Sequence, residues 1–226
     1  MNLCVIPARS GSLRLKNKNI KIFKKKPLIY YSIRTAINSK LFDKIIVSTN
    51  SQKIKKIAVK YGAEVPYIRS KKLSNHSATI MQVINDAIIY FEKQKINFTN
   101  ICCLYPTAIF ADYKLIRKSY IKFIKNKKKY LISSLEFPSF VEKGFKIENN
   151  EIKLLFSNYK NKNSNNLSST YYDAGQFLWG KSKAFKNKKD IFSKHSSIFL
   201  LNSPKFIDLN TKHDWNKVLE YSKIFK

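Results

Sequence analysis

A short loop near the start of the chain has the composition of a phosphate-binding loop. It follows the apolar run Leu3–Ile6 and combines small residues with cations, namely Ala8, Arg9, Ser10, Gly11, Ser12, Arg14, Lys16 and Lys18. Small side chains let backbone N–H groups approach oxyanions, while guanidinium and ammonium groups neutralise their charge. The spacing matches neither G-x-G-x-x-G nor G-x-x-x-x-G-K-[ST]. From spacing alone, a basic surface loop after an edge strand is an equal alternative.

Few other residues suggest chemistry when they are considered alone. Asp208 is interpreted most simply as a strand-end aspartate that caps a helix near Thr211. Asp173 begins a strand below a polar loop and is equally well a turn residue or a ligand contact. His76 and His195 lack the spacing of metal ligands, so neither is assigned a role.

The net charge raises nucleic acid as a partner, but the distribution of the charge argues against it. The chain has 44 Lys and Arg against 14 Asp and Glu, a formal net charge of +30, which ordinarily suggests a polyanion. Here Lys predominates, is spread from end to end among abundant Asn and Ile, and only five Arg occur. We therefore predict non-specific polyanion binding at low salt and no specific nucleic-acid partner.

The cysteines and the apolar segments predict the compartment. Cys4, Cys102 and Cys103 lie in apolar runs, and an odd number without C-x-x-C spacing argues against disulfides or a zinc site. No apolar segment approaches the length of a membrane span, and the N-terminus lacks a signal-peptide pattern. We expect a soluble cytoplasmic protein with no membrane partner.

Strand and helix patterns alternate in the first part of the chain. The predicted elements are the strand Leu3–Ile6, a helix from Pro27 to about Lys40, the strand Lys44–Thr49, a helix over 54–61 that Gly62 ends, and the strand Ala63–Ile68. This order predicts an α/β fold with a mostly parallel sheet, helices on both faces, and ligands at the carboxyl ends of the strands. The loop after Leu3–Ile6 lies at such an end.

The rest of the chain continues this pattern with one interruption. The predicted elements are the helix Ala78–Lys93, the strand Asn100–Tyr105, the helix Tyr113–Lys125 capped by Asp112, the strands Tyr130–Leu135, Asp173–Gly180, Ser197–Leu201 and Lys205–Leu209, and a closing helix Lys212–Ile224 with Trp215, Val218, Leu219 and Tyr221 facing inward. Residues 136–171 alternate short apolar runs with Asn, Lys and Ser. They predict an antiparallel excursion with a mobile loop, suited to meeting a partner subunit or closing over a substrate.

Several stretches, spread over essentially the full chain, resemble the acylneuraminate cytidylyltransferases. They are Ile6–Ser12 with Lys18-Asn19, Leu41–Thr49, Tyr61–Pro66, Cys102–Tyr105 and Tyr172–Gly180. The resemblance implies that residues 1–226 form one domain with a Rossmann-like nucleotidyltransferase (nucleotide-diphospho-sugar transferase) fold and a small dimerisation excursion. It also implies Mg²⁺ dependence, CTP as donor and a homodimer. The implied reaction transfers CMP from CTP to the anomeric hydroxyl of an acidic nonulosonate sugar and releases pyrophosphate. Pseudaminic acid is the expected sugar, and the CMP-sugar product would serve cell-surface glycan biosynthesis.

The resemblance also implies the site residues. The nucleotide would contact Ala8, Arg9, Ser10, Gly11, Ser12, Arg14, Lys18, Asn19, Arg69, Ala78 and Thr79. The residues themselves, apart from the resemblance, add sugar contacts from Tyr105 and Thr107 in a second ligand-side loop, from Asp173, and from Gln176, because a buried amide needs a partner. The metal would be held by Asp208 and Asn210, and the catalytic residues would be Arg9, Lys18 and Asp208. With the resemblance, we therefore expect Asp208 to hold the metal and not to cap a helix.

Some positions depart from the family pattern, and they cluster at the chemistry. Leu13 stands where a Lys is usual, Asn163 where an Arg could hold the sugar carboxylate, and Asn210 where Asp-Ile-Asp has its second Asp. An Asn offers Mg²⁺ a carbonyl oxygen without a negative charge. These departures keep an alternative open. The chain could be a divergent, weakly active or non-catalytic nucleotide-binding relative that acts on another sugar acid or in a complex.

Overall fold

The computed structural model describes residues 1–12 and 14–224, so the prediction made for Leu13 lies outside the described residues. The helices are α1 Leu28–Ser39, α2 Gln52–Lys60, α3 Ile80–Glu92, α4 Tyr113–Lys125, α5 Ser182–Lys186 and α6 Lys212–Ile224. The strands are β1 Asn2–Pro7, β2 Ile22–Phe23, β3 Lys26–Pro27, β4 Lys44–Ser48, β5 Asn100–Leu104, β6 Tyr130–Glu136, β7 Phe145–Glu148, β8 Glu151–Leu154, β9 Tyr171–Lys181 and β10 Ser196–Leu200. None of the described helices is long and apolar enough to cross a bilayer.

The central sheet is mixed but mostly parallel, as predicted. Its strand order is β10-β6-β9-β5-β1-β4, and only β9 runs antiparallel to its neighbours. The side chains of β5 are buried along its whole length, as expected for a central strand. Because β4, β1 and β5 are parallel, their carboxyl ends meet at one edge, where the loop after β1 begins.

The helices around this edge begin with the side-chain caps that their sequences favour. Asp112 accepts a hydrogen bond from the backbone N–H of Leu115 (2.7 Å), as predicted for the start of α4. Thr79 and Gln82 form a capping box at the start of α3. These caps set where α3 and α4 start relative to the sheet.

The sheet separates two apolar layers, one under α1, α2 and α4 and the other under α3 and α5. Trp179 of β9 is fully buried, stacks between Phe42 and Phe123, and donates its Nε1–H to Ser119 (2.9 Å). The prediction that Trp179 belongs to the core is confirmed. The three cysteines are free and buried, also as predicted, and burial raises their thiol pKa values.

Two predicted strands and one predicted inward residue are wrong. Residues 63–68 form only two isolated bridges to β4 and the residue after it, because Pro66 lies between them and has no N–H to donate. Residues 205–209 follow Pro204 without joining a strand; instead, the Ile207 carbonyl accepts a hydrogen bond from a side chain, that of Gln176 (3.2 Å). On α6, Val218 takes the inward position and the next residue, Leu219, is 39% exposed.

Residues 136–171 contain an antiparallel hairpin outside the central sheet. Strands β7 and β8 pair with each other alone among the described strands. The hairpin exposes large apolar side chains, with Phe145 56%, Ile147 70% and Ile152 71% exposed.

Candidate functional site

A cleft of about 560 Å³ opens at the carboxyl ends of β1 and β5. We call it the first cleft. The predicted site residues that line it are Arg9, Ser12, Arg14, Lys18, Asn19, Arg69, Ala78, Tyr105, Thr107, Asp208 and Asn210. Segments far apart in the sequence therefore meet around one space, and four of these residues are cations.

The loop after β1 is held in shape by side chains from its surroundings. Asn19 is buried and donates to the Arg9 carbonyl (2.9 Å), which fixes the first turn of the loop. The Ser10 N–H and hydroxyl both donate to Asn50 (2.9 and 3.2 Å). Gly11 has φ +82°, a conformation that a side chain would strain. Part of the loop backbone is thus used internally, and its side chains are left to meet a ligand.

The Arg9 guanidinium is oriented by a loop that begins near Ser70. It donates to the Ser74 carbonyl (3.2 Å) and lies 3.0 Å from Nδ1 of His76. His76 lines the first cleft beside Asn75. Sequence reasoning assigned His76 no role, because a lone histidine after a polar run has no recognisable spacing.

Lys18 links the loop to the segment before α6. Its Nζ donates to the Leu209 carbonyl (2.7 Å) and to Oδ1 of Asn210 (3.1 Å). Burial lowers the pKa of Lys18, and the Arg14 and Arg9 cations act in the same direction, while Asp208 opposes them. The ammonium group is thus held against the segment that carries Asp208 by its hydrogen bonds to Leu209 and Asn210.

Asp208 is exposed at the cleft and held by its neighbours. Its Oδ2 accepts a hydrogen bond from the Asn210 amide (2.6 Å). Its carboxyl group packs on Gly175, whose φ is +60° and where an added Cβ would lie 2.9 Å from Cγ of Asp208. Burial raises the pKa of nearby Asp173, and the Asp208 charge adds to the effect. Glycine at 175 is what allows strand β9 to approach Asp208.

The helix cap assigned to Asp208 from sequence alone is formed instead by Thr211 and Asp214, since the Thr211 hydroxyl oxygen accepts a hydrogen bond from the N–H of Asp214 (3.2 Å). Oδ2 of Asp214 accepts hydrogen bonds from the N–H groups of Asn210 and Thr211 and from the Thr211 hydroxyl (2.9, 2.7 and 2.8 Å). Burial opposes ionisation of Asp214, but these hydrogen bonds outweigh it and lower its pKa. Asp208 is thereby left available to a ligand.

One of the cations that line the first cleft is buried. Arg69 is 4% exposed, yet it lines the cleft, and burial lowers its pKa. Its backbone N–H donates to the Thr49 carbonyl (2.8 Å), which attaches this segment to the end of β4. Its Nε has no hydrogen-bond partner among the described residues. Such an orphaned buried donor favours a polar ligand in the first cleft.

Six predicted site residues, Gln176 among them, do not line the first cleft. Ala8 is fully buried, Ser10 and Gly11 face a smaller hollow, Thr79 caps α3, and Asp173 lies behind Asp208 near Gly175.

Gln176 also lies away from the first cleft, beneath its floor. Its side chain is 1% exposed and donates to the carbonyls of Ala174 (2.7 Å) and Ile207 (3.2 Å). Its backbone carbonyl accepts from the N–H of Tyr105 (3.0 Å). In the structure, Gln176 therefore positions the segments that carry Asp208 and Tyr105.

The acidic group at the cleft suits a hard cation. The described residues contain no cluster of three or more His, Cys, Asp or Glu that could hold a metal. Mg²⁺ does not require one, since it commonly keeps several waters and is bound by one or two carboxylates plus substrate phosphates. Asp208 supplies such a carboxylate beside the cations of the loop. Oδ1 of Asn210, by contrast, is engaged by Lys18.

The architecture is that of a nucleotidyltransferase. The chain aligns with the solved structure titled CMP:2-keto-3-deoxy-manno-octonic acid synthetase complexed with CTP, with a TM-score of 0.70, 12% identity and coverage of 99% of this chain and 98% of that one. At this identity the likeness concerns the fold alone. A family model described as "Cytidylyltransferase" matches residues 3–222, so the chain belongs to that family of enzymes.

Full-length relatives support the family assignment. The chain is 39% identical over 224 residues to the pseudaminic acid cytidylyltransferase of Campylobacter jejuni serotype O:2, covering 99% of this chain and 95% of that protein. It is 31% identical to the CMP-N,N'-diacetyllegionaminic acid synthase of Legionella pneumophila, covering 94% and 92%. The resemblance inferred from the sequence is confirmed.

Proposed function

We propose that this protein transfers CMP from CTP to the anomeric hydroxyl of an acidic nonulosonate sugar, with pseudaminic acid as its substrate. Family membership supports the nucleotidyl transfer, and the 39% identical relative supports the sugar. The single observation that carries the proposal is the first cleft. It combines four cations, Arg9, Arg14, Lys18 and Arg69, with one exposed carboxylate, Asp208.

The cations of the first cleft account for most of the proposed catalysis. The sugar hydroxyl oxygen forms a bond to the α-phosphorus, the bond to the β-phosphate oxygen breaks, pyrophosphate leaves, and the hydroxyl proton is released. Charge develops on the non-bridging and leaving oxygens, so catalysis depends on positioning and electrostatic stabilisation. Arg9 and Lys18 are held in place before substrate arrives, and a preorganised donor of this kind contributes about 3–4 kcal/mol.

Asp208 is the residue that would hold Mg²⁺ in the proposed reaction. The ion, when bound, would neutralise phosphate charge at the reacting centre. Asp208 is kept in place by Gly175 and by the Asn210 amide, and Gln176 anchors the segment before it. Arg69, with its unpartnered Nε, would contact the nucleotide.

We also propose that two copies associate through the β7–β8 hairpin. A two-stranded hairpin with exposed Phe145, Ile147 and Ile152 is marginal by itself in water, and burying these side chains against a second copy would stabilise it. The double variant Ile147→Asp, Ile152→Asp should be monomeric by light scattering, while Lys146→Gln, Lys153→Gln should keep the oligomer. A wild-type monomer at micromolar concentration would contradict this assembly.

The buried free thiols favour a reducing compartment, the cytoplasm.

One observation favours a second candidate, a nucleotide-binding relative with little turnover. Asn210 stands where the family pattern has an aspartate, and its Oδ1 accepts a hydrogen bond from Lys18 instead of facing a metal. Such a protein would bind CTP without releasing pyrophosphate.

Pyrophosphate release separates the two candidates. The protein is incubated with CTP, Mg²⁺ and, separately, pseudaminic, legionaminic or N-acetylneuraminic acid. The proposal expects release that requires a sugar and is fastest with pseudaminic acid. CTP binding by calorimetry without release on any sugar would establish the second candidate.

A further inference from the structure

A second cleft of about 600 Å³ lies beside the first, and Asp208 lines both. It is formed by the end of β6, the start of β9, residues 200–207 and one face of α6. The two clefts are separated by the segment that carries Asp208. A ligand in the second cleft would therefore meet a nucleotide in the first cleft at Asp208.

The lining of the second cleft differs in kind from that of the first. Its wall includes the apolar side chains Leu135, Leu201, Pro204 and Phe206, with polar groups from Asn202 and Ser203 at its side. A polyphosphate has no apolar part to place against this wall. An acylated sugar has methyl groups for the wall and hydroxyl and amide groups for the polar side.

Among the described residues that line the second cleft, Lys217 is the only cation. It lies three residues after Asp214 on α6, which is about 4.5 Å along the helix axis and on the same helix face. Asp214 is bonded to the backbone of Asn210 and Thr211, so this face of α6 is fixed next to Asp208. Lys217 is exposed, and no described residue forms a hydrogen bond or ion pair with its ammonium group.

The other charges in the second cleft are negative. Asp208 and Asp214 line it, and so does Glu136, which accepts a hydrogen bond from Ser169. These carboxylates repel an acidic ligand, and Asp214 lies one helical turn from Lys217. Lys217 is the one charged group of the described lining that attracts a carboxylate, so it would set the orientation of an acidic ligand.

We propose that the second cleft binds the acidic sugar and that Lys217 binds its carboxylate. This inference rests on the proposed function. In a nonulosonate, the carboxylate and the nucleophilic hydroxyl are attached to the same anomeric carbon. Binding the carboxylate at Lys217 therefore directs the hydroxyl toward Asp208 and the nucleotide. Lys217 acts from α6 and supplies the positive charge that Asn163, in an exposed loop, lacks.

The test compares wild type with Lys217→Gln, Lys217→Arg and the control Lys223→Gln, which removes an exposed charge farther along α6. Binding of pseudaminic acid and of its carboxamide is measured by calorimetry with Mg²⁺ and a non-hydrolysable CTP analogue, so the result does not depend on turnover. Losing a charge-assisted hydrogen bond should weaken acid binding roughly 10- to 100-fold in Lys217→Gln. Carboxamide and nucleotide binding should change little, and Lys217→Arg and Lys223→Gln should resemble wild type.

The outcomes distinguish this inference from the function on which it rests. Wild type that binds the acid through Lys217 but releases no pyrophosphate would overturn the proposed function and support the sugar site. Equal preference for acid over carboxamide in wild type and Lys217→Gln would overturn the inference and leave the enzyme activity intact. Failure of wild type to bind any acidic sugar would also overturn it.

Discussion

Asn210→Asp tests whether the Asp208 site is built to receive a divalent cation. The Asn210 amide now donates to Asp208 across 2.6 Å, and the substitution replaces that donor with a second carboxylate. Two such charges about 4 Å apart repel by about 1 kcal/mol in water and about 4 kcal/mol near a protein surface. Because Asp208 is exposed and the Lys18 Nζ lies 3.1 Å from Oδ1 of Asn210, the repulsion should be near the lower of these two values.

Without Mg²⁺ the Asn210→Asp variant should therefore lose about 1 kcal/mol of unfolding free energy. With Mg²⁺ the sign should reverse, because the second carboxylate adds a charged ligand, and an ion at ten times its Kd adds about 1.4 kcal/mol. Urea unfolding with chelator and with Mg²⁺ measures both, and Asn97→Asp adds the same charge at an exposed position away from the cleft. If Asn210→Asp responded to Mg²⁺ no more than Asn97→Asp does, Asp208 would not be a metal residue.

Three further substitutions test other parts of the site. Lys18→Met should lower kcat by about 10²–10³-fold in a pyrophosphate assay, because a fixed donor to phosphate is lost; wild-type kcat would show that the site is misplaced. Gly175→Ala should lower the unfolding free energy by about 1–2 kcal/mol and reduce turnover, since φ is +60° and the new methyl displaces Asp208; unchanged urea unfolding would refute the contact. Asp214→Asn should flatten the dependence of stability on pH. Because folding lowers the pKa of Asp214, its carboxylate stabilises the folded protein fully above about pH 4, and this stabilisation is lost as the pH falls through the pKa that Asp214 has in the folded protein. Acid unfolding of both proteins over a series of pH values measures the difference.

The fold was readable from the sequence wherever local pattern and burial agree. The alternation of β1, α1, β4 and α2 predicted the parallel sheet, and the loop after β1 was placed at its carboxyl edge. Residues 63–68 and 205–209 have apolar runs of strand length, yet prolines and side-chain hydrogen bonds decide their pairing. Sequence periodicity does not report such tertiary partners.

The site was only partly readable, because its residues meet through contacts that span most of the chain. Residue types and family likeness together identified Arg9, Lys18, Arg69 and Asp208, which share the first cleft. Neither could show that Lys18 bonds to Leu209 and Asn210, nor that Arg9 contacts His76. Lys217 is one of many lysines in the sequence, and only its position on α6, beside the second cleft, distinguishes it.

The position of the label after reaction with CTP labelled at the α-phosphorus tests the central claim most directly. Incubated with Mg²⁺ and pseudaminic acid, the protein should move the label into a CMP-sugar and release unlabelled pyrophosphate in equal amount. Label that stays in CTP with every acidic sugar offered, from protein that binds CTP, would contradict the assignment of this chain as a nonulosonate cytidylyltransferase.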